Sequence, residues 1–236
     1  MARRWLVPVL GCALACCSIS KANTVTNLNV GQSVDLGTWA IQDGNAIQIG
    51  DKLFDNFSYM YTDSTGMTNY SLPSGAVTLA ALSNMVGFGL SLEAPLNTAS
   101  NLDKDFIIKY SVTVTDPSMK ISDMHMTFNG VALNNGFCLV DEAAYDSAGF
   151  GVNSLGAIQV DNIPPSPANL QAMLTFEQPQ TEIYIEKDIE LGGSGGSDFA
   201  SISIIDQTFS QIPEPSSVML TVVGLAGLWL MRRRRR

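Results

Sequence analysis

Ile108-Lys109-Tyr110-Ser111-Val112-Thr113-Val114-Thr115 alternates apolar and polar side chains one by one. That is the period of a strand with one buried face and one wet face. The pattern recurs on both sides of it. Val86, Phe88, Leu90 and Leu92 alternate with Gly87, Gly89 and Ser91, and Met124, Met126 and Phe128 alternate with Asp123, His125 and Thr127. Ile183, Ile185, Ile189 and Leu191 share one face of a fourth run. Turn chemistry falls between the runs, at Asp43-Gly44-Asn45, Asn129-Gly130, Asn134-Asn135-Gly136 and Ile163-Pro164-Pro165-Ser166-Pro167.

No stretch between residues 23 and 211 sustains a helical period over three turns, and Asp141–Tyr145 has room for one helical turn at most. No fixed-period repeat marks a solenoid or propeller. The expectation is an all-β fold, one antiparallel β-sandwich or jelly-roll-like domain over 23–211. Gly192-Gly193-Ser194-Gly195-Gly196-Ser197 reads as a flexible hairpin loop joining strands near 182–191 and 199–209. No lysine follows it, which argues against a phosphate-binding loop. Ser210 to Ser217 reads as a proline-bearing spacer.

The two ends carry different information. Met1-Ala2-Arg3-Arg4 and the apolar run Trp5–Ile19 lead to Ser20-Lys21-Ala22, the layout of a signal peptide over 1–22 cleaved before Asn23. The Arg3-Arg4 pair alone is too little for a twin-arginine signal. A rival reading takes Ala13-Leu14-Ala15-Cys16 as a loose lipoprotein box with Cys16 lipidated; Ala13 and Leu14 stand in the wrong order for a good one. At the other end, the motif at 212–217, containing Pro213, Glu214 and Pro215, precedes an uncharged apolar run at 218–231. Arg232, Arg233, Arg234, Arg235 and Arg236 close the chain. As a transmembrane helix the run reaches only about 21 Å, against a hydrocarbon core of roughly 30 Å. Such a short span thins the bilayer, borrows flanking residues or anchors only for a time. The arginines stay cytoplasmic and everything before Pro213 lies outside.

Residues 212–236 resemble the PEP-CTERM sorting signal of exopolysaccharide-producing Gram-negative bacteria, with Ile212 standing where Val is commoner. The resemblance implies export, transient anchoring, processing near the motif by an exosortase (a membrane-embedded cysteine protease-transpeptidase), and delivery to the surface or matrix. It implies no activity for the exported domain. Ile49-Gly50-Asp51-Lys52-Leu53-Phe54-Asp55-Asn56-Phe57-Ser58-Tyr59 also resembles a segment often seen near the start of PEP-CTERM passenger domains, which implies a β-sandwich without an assigned activity.

Between the two end segments, Lys52, Lys104, Lys109, Lys120 and Lys187 face 21 of the chain's 22 acidic residues, a balance of about −16. A surface so charged repels nucleic acid and anionic headgroups, and suits divalent cations and a polymer-rich matrix. Cys12, Cys16 and Cys17 leave with the signal peptide, so Cys138 is alone and no internal disulfide forms. Between Phe137 and Leu139 it reads as a small buried hydrophobe.

The sharpest chemical pattern is Glu186-Lys187-Asp188-Ile189-Glu190. In a strand Glu186, Asp188 and Glu190 project to one face, preceded there by Glu182 and Tyr184. The run resembles the Glu-x-Asp-x-Glu strand of laminarinase-like jelly-roll glycosidases, which implies nucleophile and acid/base roles for Glu186 and Glu190 around Asp188. Three departures count against it. Lys187 stands where that family keeps an aliphatic residue, Trp39 is the single tryptophan of the domain, and the run lies near the domain's end. The plainer reading is a solvated acidic face that discourages edge-to-edge aggregation. Asp103-Lys104-Asp105 and Asp141-Glu142 with Asp146 are candidate oxygen ligands, leaving weak Ca²⁺ binding open; neither has the order of a dedicated loop. His125, the only histidine, cannot build a usual zinc site.

The expectation is an exported, surface-sorted structural or adhesive protein of the envelope or matrix. It is not an enzyme, it needs no cofactor, and its membrane contact is the C-terminal helix. Signal peptidase and exosortase act on it as processing enzymes. Two alternatives remain: a carbohydrate-binding module for exopolysaccharide, presenting Tyr59, Tyr61, Tyr70 and Trp39 on one face, and the glycosidase just described. The export reading sets one outcome. Surface material should begin at Asn23 or within a few residues of it, and N-terminal sequencing that finds an intact Met1 there would remove the signal peptide.

Overall fold

The four alternating runs are strands in a computed structural model, which describes residues 24–63, 68–69, 75–98, 103–193 and 195–214. The expected signal peptide, Cys16, Tyr70, Pro215, the apolar run 218–231 and the five arginines lie outside the described residues. In chain order the strands are β1 (Thr24–Asn27), β2 (Ser33–Asp35), β3 (Asn45–Ile49), β4 (Lys52–Asp63), β5 (Thr68–Asn69), β6 (Thr78–Ser83) and β7 (Phe88–Thr98). Then follow β8 (Lys104–Val114), β9 (Met119–Leu133), β10 (Phe137–Tyr145), β11 (Ser154–Asn162), β12 (Gln171–Gln180), β13 (Glu182–Gly192) and β14 (Phe199–Pro213). One π-helical turn, Leu36–Ala40, interrupts them, capped by Asp35, which accepts from the Thr38 amide at 2.6 Å. Among the described residues no helix is long and apolar enough to cross a membrane.

Two sheets form the expected sandwich. The larger runs β1-β3-β4-β8-β13-β10-β11, with β5 also paired to β4; the smaller runs β12-β9-β14-β7-β6-β2. Among the described residues only β1 and β3 pair in parallel. The inward faces meet through large side chains. Phe54 of the larger sheet lies 6.1 Å, ring to ring, from Phe209 of the smaller, and Phe57 stacks on Tyr110 at 5.6 Å. Ile108, Val112, Ile183, Ile185 and Ile189 face Leu90, Met124, Met126 and Ile205 in one continuous core. Burying each such side chain is worth about 1.5–3 kcal/mol. Cys138 belongs to this core, its thiol 3.4 Å from the Val131 carbonyl and pushed up to about 11 by burial.

Four local expectations need correction. Asp141–Tyr145 is not a helical turn but the second half of β10, paired residue for residue with β13. Asn129-Gly130 is not a turn: it lies inside β9, where a Cβ on Gly130 would come within 2.1 Å of the Phe128 ring. The glycine-rich segment after β13 does not close a hairpin, because β13 and β14 belong to opposite sheets. It is a crossover, pinned by buried Asp198, which accepts from the Gly195 amide at 2.6 Å and the Asn135 amide at 3.2 Å. Finally, the spacer begins later than Ser210, since β14 stays paired with β9 through Pro213.

Lys187 occupies an inward position of β13 and is 3% exposed. Its ammonium donates to Glu142, directly across the strand pair on β10, and to Gln207 Oε1 of the opposite sheet at 3.1 Å, with Met126 Sδ also at 3.1 Å. Burial pushes the Glu142 carboxyl up and the Lys187 ammonium down, each opposed by the attraction of the other. Removing one member strands a charge in hydrocarbon, at a cost of about 3–5 kcal/mol. Lys187→Met and Glu142→Leu should each lower the urea unfolding free energy by that amount. The double variant should return to wild-type stability or above, and additive losses would show the two residues act separately.

Candidate functional site

Strand alternation divides β13 into two rows. Ile183, Ile185, Lys187, Ile189 and Leu191 point into the core, and Tyr184, Glu186, Asp188 and Glu190 point outward. The predicted acidic row is therefore real, and register shows what lies beside it. On β8 the neighbours are Ser111, Lys109, Ile107 and Asp105; on β10 they are Tyr145, Ala143, Asp141 and Leu139. The outer face of the larger sheet thus has two ends of opposite character.

One end is aromatic. Phe150, in the loop after β10, meets Tyr145 at 5.8 Å and Tyr184 at 6.3 Å, edge-on to both. Lys109 Nζ sits 4.5 Å from the centroid of the Phe150 ring and 3.1 Å from the Glu186 carboxylate. A cation is thereby held between a π face and a carboxylate.

The other end is acidic. Asp141 is directly opposite Asp188 and Asp105 directly opposite Glu190, pairings that repel when both members are ionised. The Asp188 carboxyl is pushed up to about 7, first by burial and then by Asp105, which also hydrogen-bonds to it, and by Glu190 and Asp141. Glu190 is raised by burial and by Asp105, Asp141 and Asp103. Glu190 also lines a shallow groove of about 330 Å³ with Thr62, Asp63, Asp103, Lys104, Asp105 and Phe137.

The other candidates are dispersed. Glu142 points into the core while Asp141 and Asp146 point out, so those three cannot converge on one ion. Among the described residues no group of three or more His, Cys, Asp or Glu side chains is arranged to hold a metal. His125 lies on the outer face of the smaller sheet, 2.8 Å from Asp123. Tyr59 and Tyr61 pack inward from β4, and Trp39 packs on the core from the π-helical turn, so these three do not form an exposed aromatic face. The aromatic group that does form, Tyr145, Phe150 and Tyr184, draws on three separate segments. Its only sequence signal is the outward parity of Tyr184. Of the segment read as a sorting motif, Pro213 closes β14 and Glu214 pairs with Lys120 at 3.0 Å.

The Glu186 and Glu190 Cα atoms stand four residues apart on one strand, about 13 Å. That is the spacing of the glycosidase strand this run resembles, so spacing alone does not separate the two readings. Here the Glu186 carboxylate is held by Lys109, and Glu190 sits among the acids at the far end.

No family model matches the chain, and no curated protein matches it. Similar solved structures include TmCBM61 in complex with β-1,4-galactotriose, at 11% identity over 64% of this chain and 88% of that one, TM-score 0.32. The enzymatically active domain of bacteriophage CBA120 tailspike protein 4 matches at 14% identity over 64% of this chain and 19% of that one, TM-score 0.30. The family 11 carbohydrate-binding module of Clostridium thermocellum, in complex with a β-1,3-1,4-mixed-linked tetrasaccharide, matches at 13% identity over 64% and 88%, TM-score 0.25. Likenesses of this order leave the ligand to be read from the chain's own side chains.

The raised Asp188 carboxyl has a consequence for stability. Its folded value lies above the ordinary 3.8, so the folded state holds this proton longer than the unfolded chain does. Its contribution is therefore fully present below about pH 4 and is lost as pH rises through about 7. Asp188→Asn should flatten that fall and stabilise the protein at pH 8 by on the order of 1 kcal/mol, allowing for the solvent open to this face. Urea unfolding at pH 5 and pH 8 checks it; an unchanged slope with pH would contradict the assignment.

Proposed function

We propose that this chain is exported, sorted to the surface through its C-terminal tail, and binds polysaccharide on the outer face of its larger sheet without cleaving it. The observation that carries the reading is the Tyr145–Phe150–Tyr184 group beside the Lys109–Glu186 pair, next to a row of carboxylates. Sugar rings have apolar C–H faces that rest on aromatic rings, and hydroxyl edges that donate to carboxylates. From Tyr184 to Glu190 the outward row extends about 20 Å along a rigid strand, room for several consecutive rings of an extended chain. Binding modules fix orientation with a few well-placed polar groups on an apolar platform, and this face supplies both.

An adhesive role in the matrix is what such binding confers on a protein delivered to the surface. Signal peptidase and an exosortase are the processing partners implied by the two ends of the chain. The glycosidase alternative is weakened by the ion-paired state of Glu186.

Affinity electrophoresis of the surface-extracted protein in gels cast with neutral and amino-sugar polysaccharides tests the reading. Tyr184→Ala and Tyr145→Ala should each weaken retardation by about tenfold or more, the loss typical of a central aromatic anchor. His125→Ala, on the opposite sheet, should bind as wild type does. No reducing ends should appear on prolonged incubation. Unaltered binding by Tyr184→Ala, or sugar release abolished by Glu186→Gln, would overturn the proposal.

A further inference from the structure

The sandwich ends inside the sorting motif. β14 continues past Gln211 through Ile212 and Pro213, which pair with Lys120 and Met119 of β9. The Glu214 amide then donates to the Ser118 carbonyl at 2.7 Å, and the Glu214 carboxylate meets Lys120 Nζ at 3.0 Å. Just upstream, Gln211 Oε1 accepts from the buried Lys52 ammonium at 2.6 Å, and the Gln211 amide donates to Asp51. Ile212 and Pro213 therefore lie between two side-chain anchors. Together with Lys120 and Glu177, Gln178 and Pro179, they line a groove of about 370 Å³ with Glu214 on its rim.

We propose that the folded domain withholds the first half of the motif, so that a processing enzyme can engage it only when residues 211–214 lift away from β9. The proposal rests on reading 212–217 as a processing motif. An enzyme that binds a segment in extended form uses the segment's backbone N–H and C=O groups. Here the Glu214 amide is already given to the Ser118 carbonyl and Ile212 is paired with Lys120 of β9, and one amide proton cannot serve both partners. The enzyme's apparent affinity is then its intrinsic affinity reduced by the fraction of molecules in which this end is open.

Opening starts at the Glu214 end of β14, because Pro213, whose nitrogen faces away from β9, leaves the ladder on either side of it intact. Strand ends open at small free energies, and the Lys120–Glu214 pair is a half-exposed contact at the surface. The clasp consequently tunes a rate; it does not lock the motif away.

Two measurements on the full chain test this. Hydrogen exchange at the Glu214 amide, in detergent, reads the clasp itself. Pulse-chase of the mass shift in producing cells reads processing. Lys120→Ala combined with Gln211→Ala should speed both by about threefold or more, since an exposed ion pair and one partner of the buried Lys52 ammonium are lost together. Lys120→Gln alone, which keeps most of the side chain's length, keeps the test readable should the double variant misfold. An unprotected Glu214 amide in wild type overturns the proposal. So does faster exchange with an unchanged rate of motif-dependent processing, and in that case the sorting reading stands. If replacing Pro213-Glu214-Pro215 with alanines leaves processing at the wild-type rate, the sorting reading fails and the proposal fails with it.

Discussion

Lys187 and Glu142 face each other across β13 and β10 in the middle of the larger sheet, and both point inward. Transferring two charges into a core of Phe, Ile, Met and Leu costs several kcal/mol per ion unless each is satisfied. Lys187 meets that requirement with Glu142 on its own sheet, Gln207 from β14, and the Met126 sulfur from β9. Glu142 Oε1 and Gln207 Nε2 find no protein partner, so satisfaction is incomplete. Such a pair adds little net stability and instead fixes geometry. Any slip in register between β10 and β13, or any shift of β14 past β9, separates the charges inside hydrocarbon. Purely apolar faces would tolerate such slips far better.

The outer face of the same sheet inherits its order from that registration. With Glu142 opposite Lys187, Asp141 must fall opposite Asp188 and Tyr145 opposite Tyr184. The acidic end is held together against its own repulsion, and the raised Asp188 carboxyl, which keeps its proton longer, eases part of it. The aromatic end relieves its single cation through Phe150 and Glu186. One strand thus supplies a specifying residue to the core and a polar row to the surface.

Much of this architecture is legible in the chain, because half-buried strands announce themselves by period two. The runs at 108–115 and 183–191 show it plainly. Asp141–Tyr145 is misread for a definite reason: its inward residues are Glu142 and Ala144, neither of which looks like core until Lys187 is placed opposite. Asn129-Gly130 carries turn chemistry, yet its glycine makes room for the Phe128 ring inside a strand. Of the site, the row Glu186, Asp188 and Glu190 is visible as a parity. The Tyr145–Phe150–Tyr184 group is not, since contact among residues from distant segments leaves no local pattern. Tyr59, Tyr61 and Trp39 mislead in the opposite sense, being aromatic and available in sequence but turned toward the core.

β14 is the last strand of the chain's described part, yet it occupies an interior position of its sheet, hydrogen-bonded to β9 on one side and β7 on the other. β13, the strand before it, holds the equivalent place between β8 and β10. Neither sheet can be assembled from the strands that precede them. During synthesis from the N-terminus, β6–β7 and β9–β12 emerge as two separate fragments with no strand to join them. Cooperative folding must wait until residues 182–213 have followed, and long-range pairing of this kind is slow. Unpaired β edges are meanwhile exposed to one another. The heavy excess of carboxylates is useful at that stage too, because mutual repulsion keeps waiting chains apart.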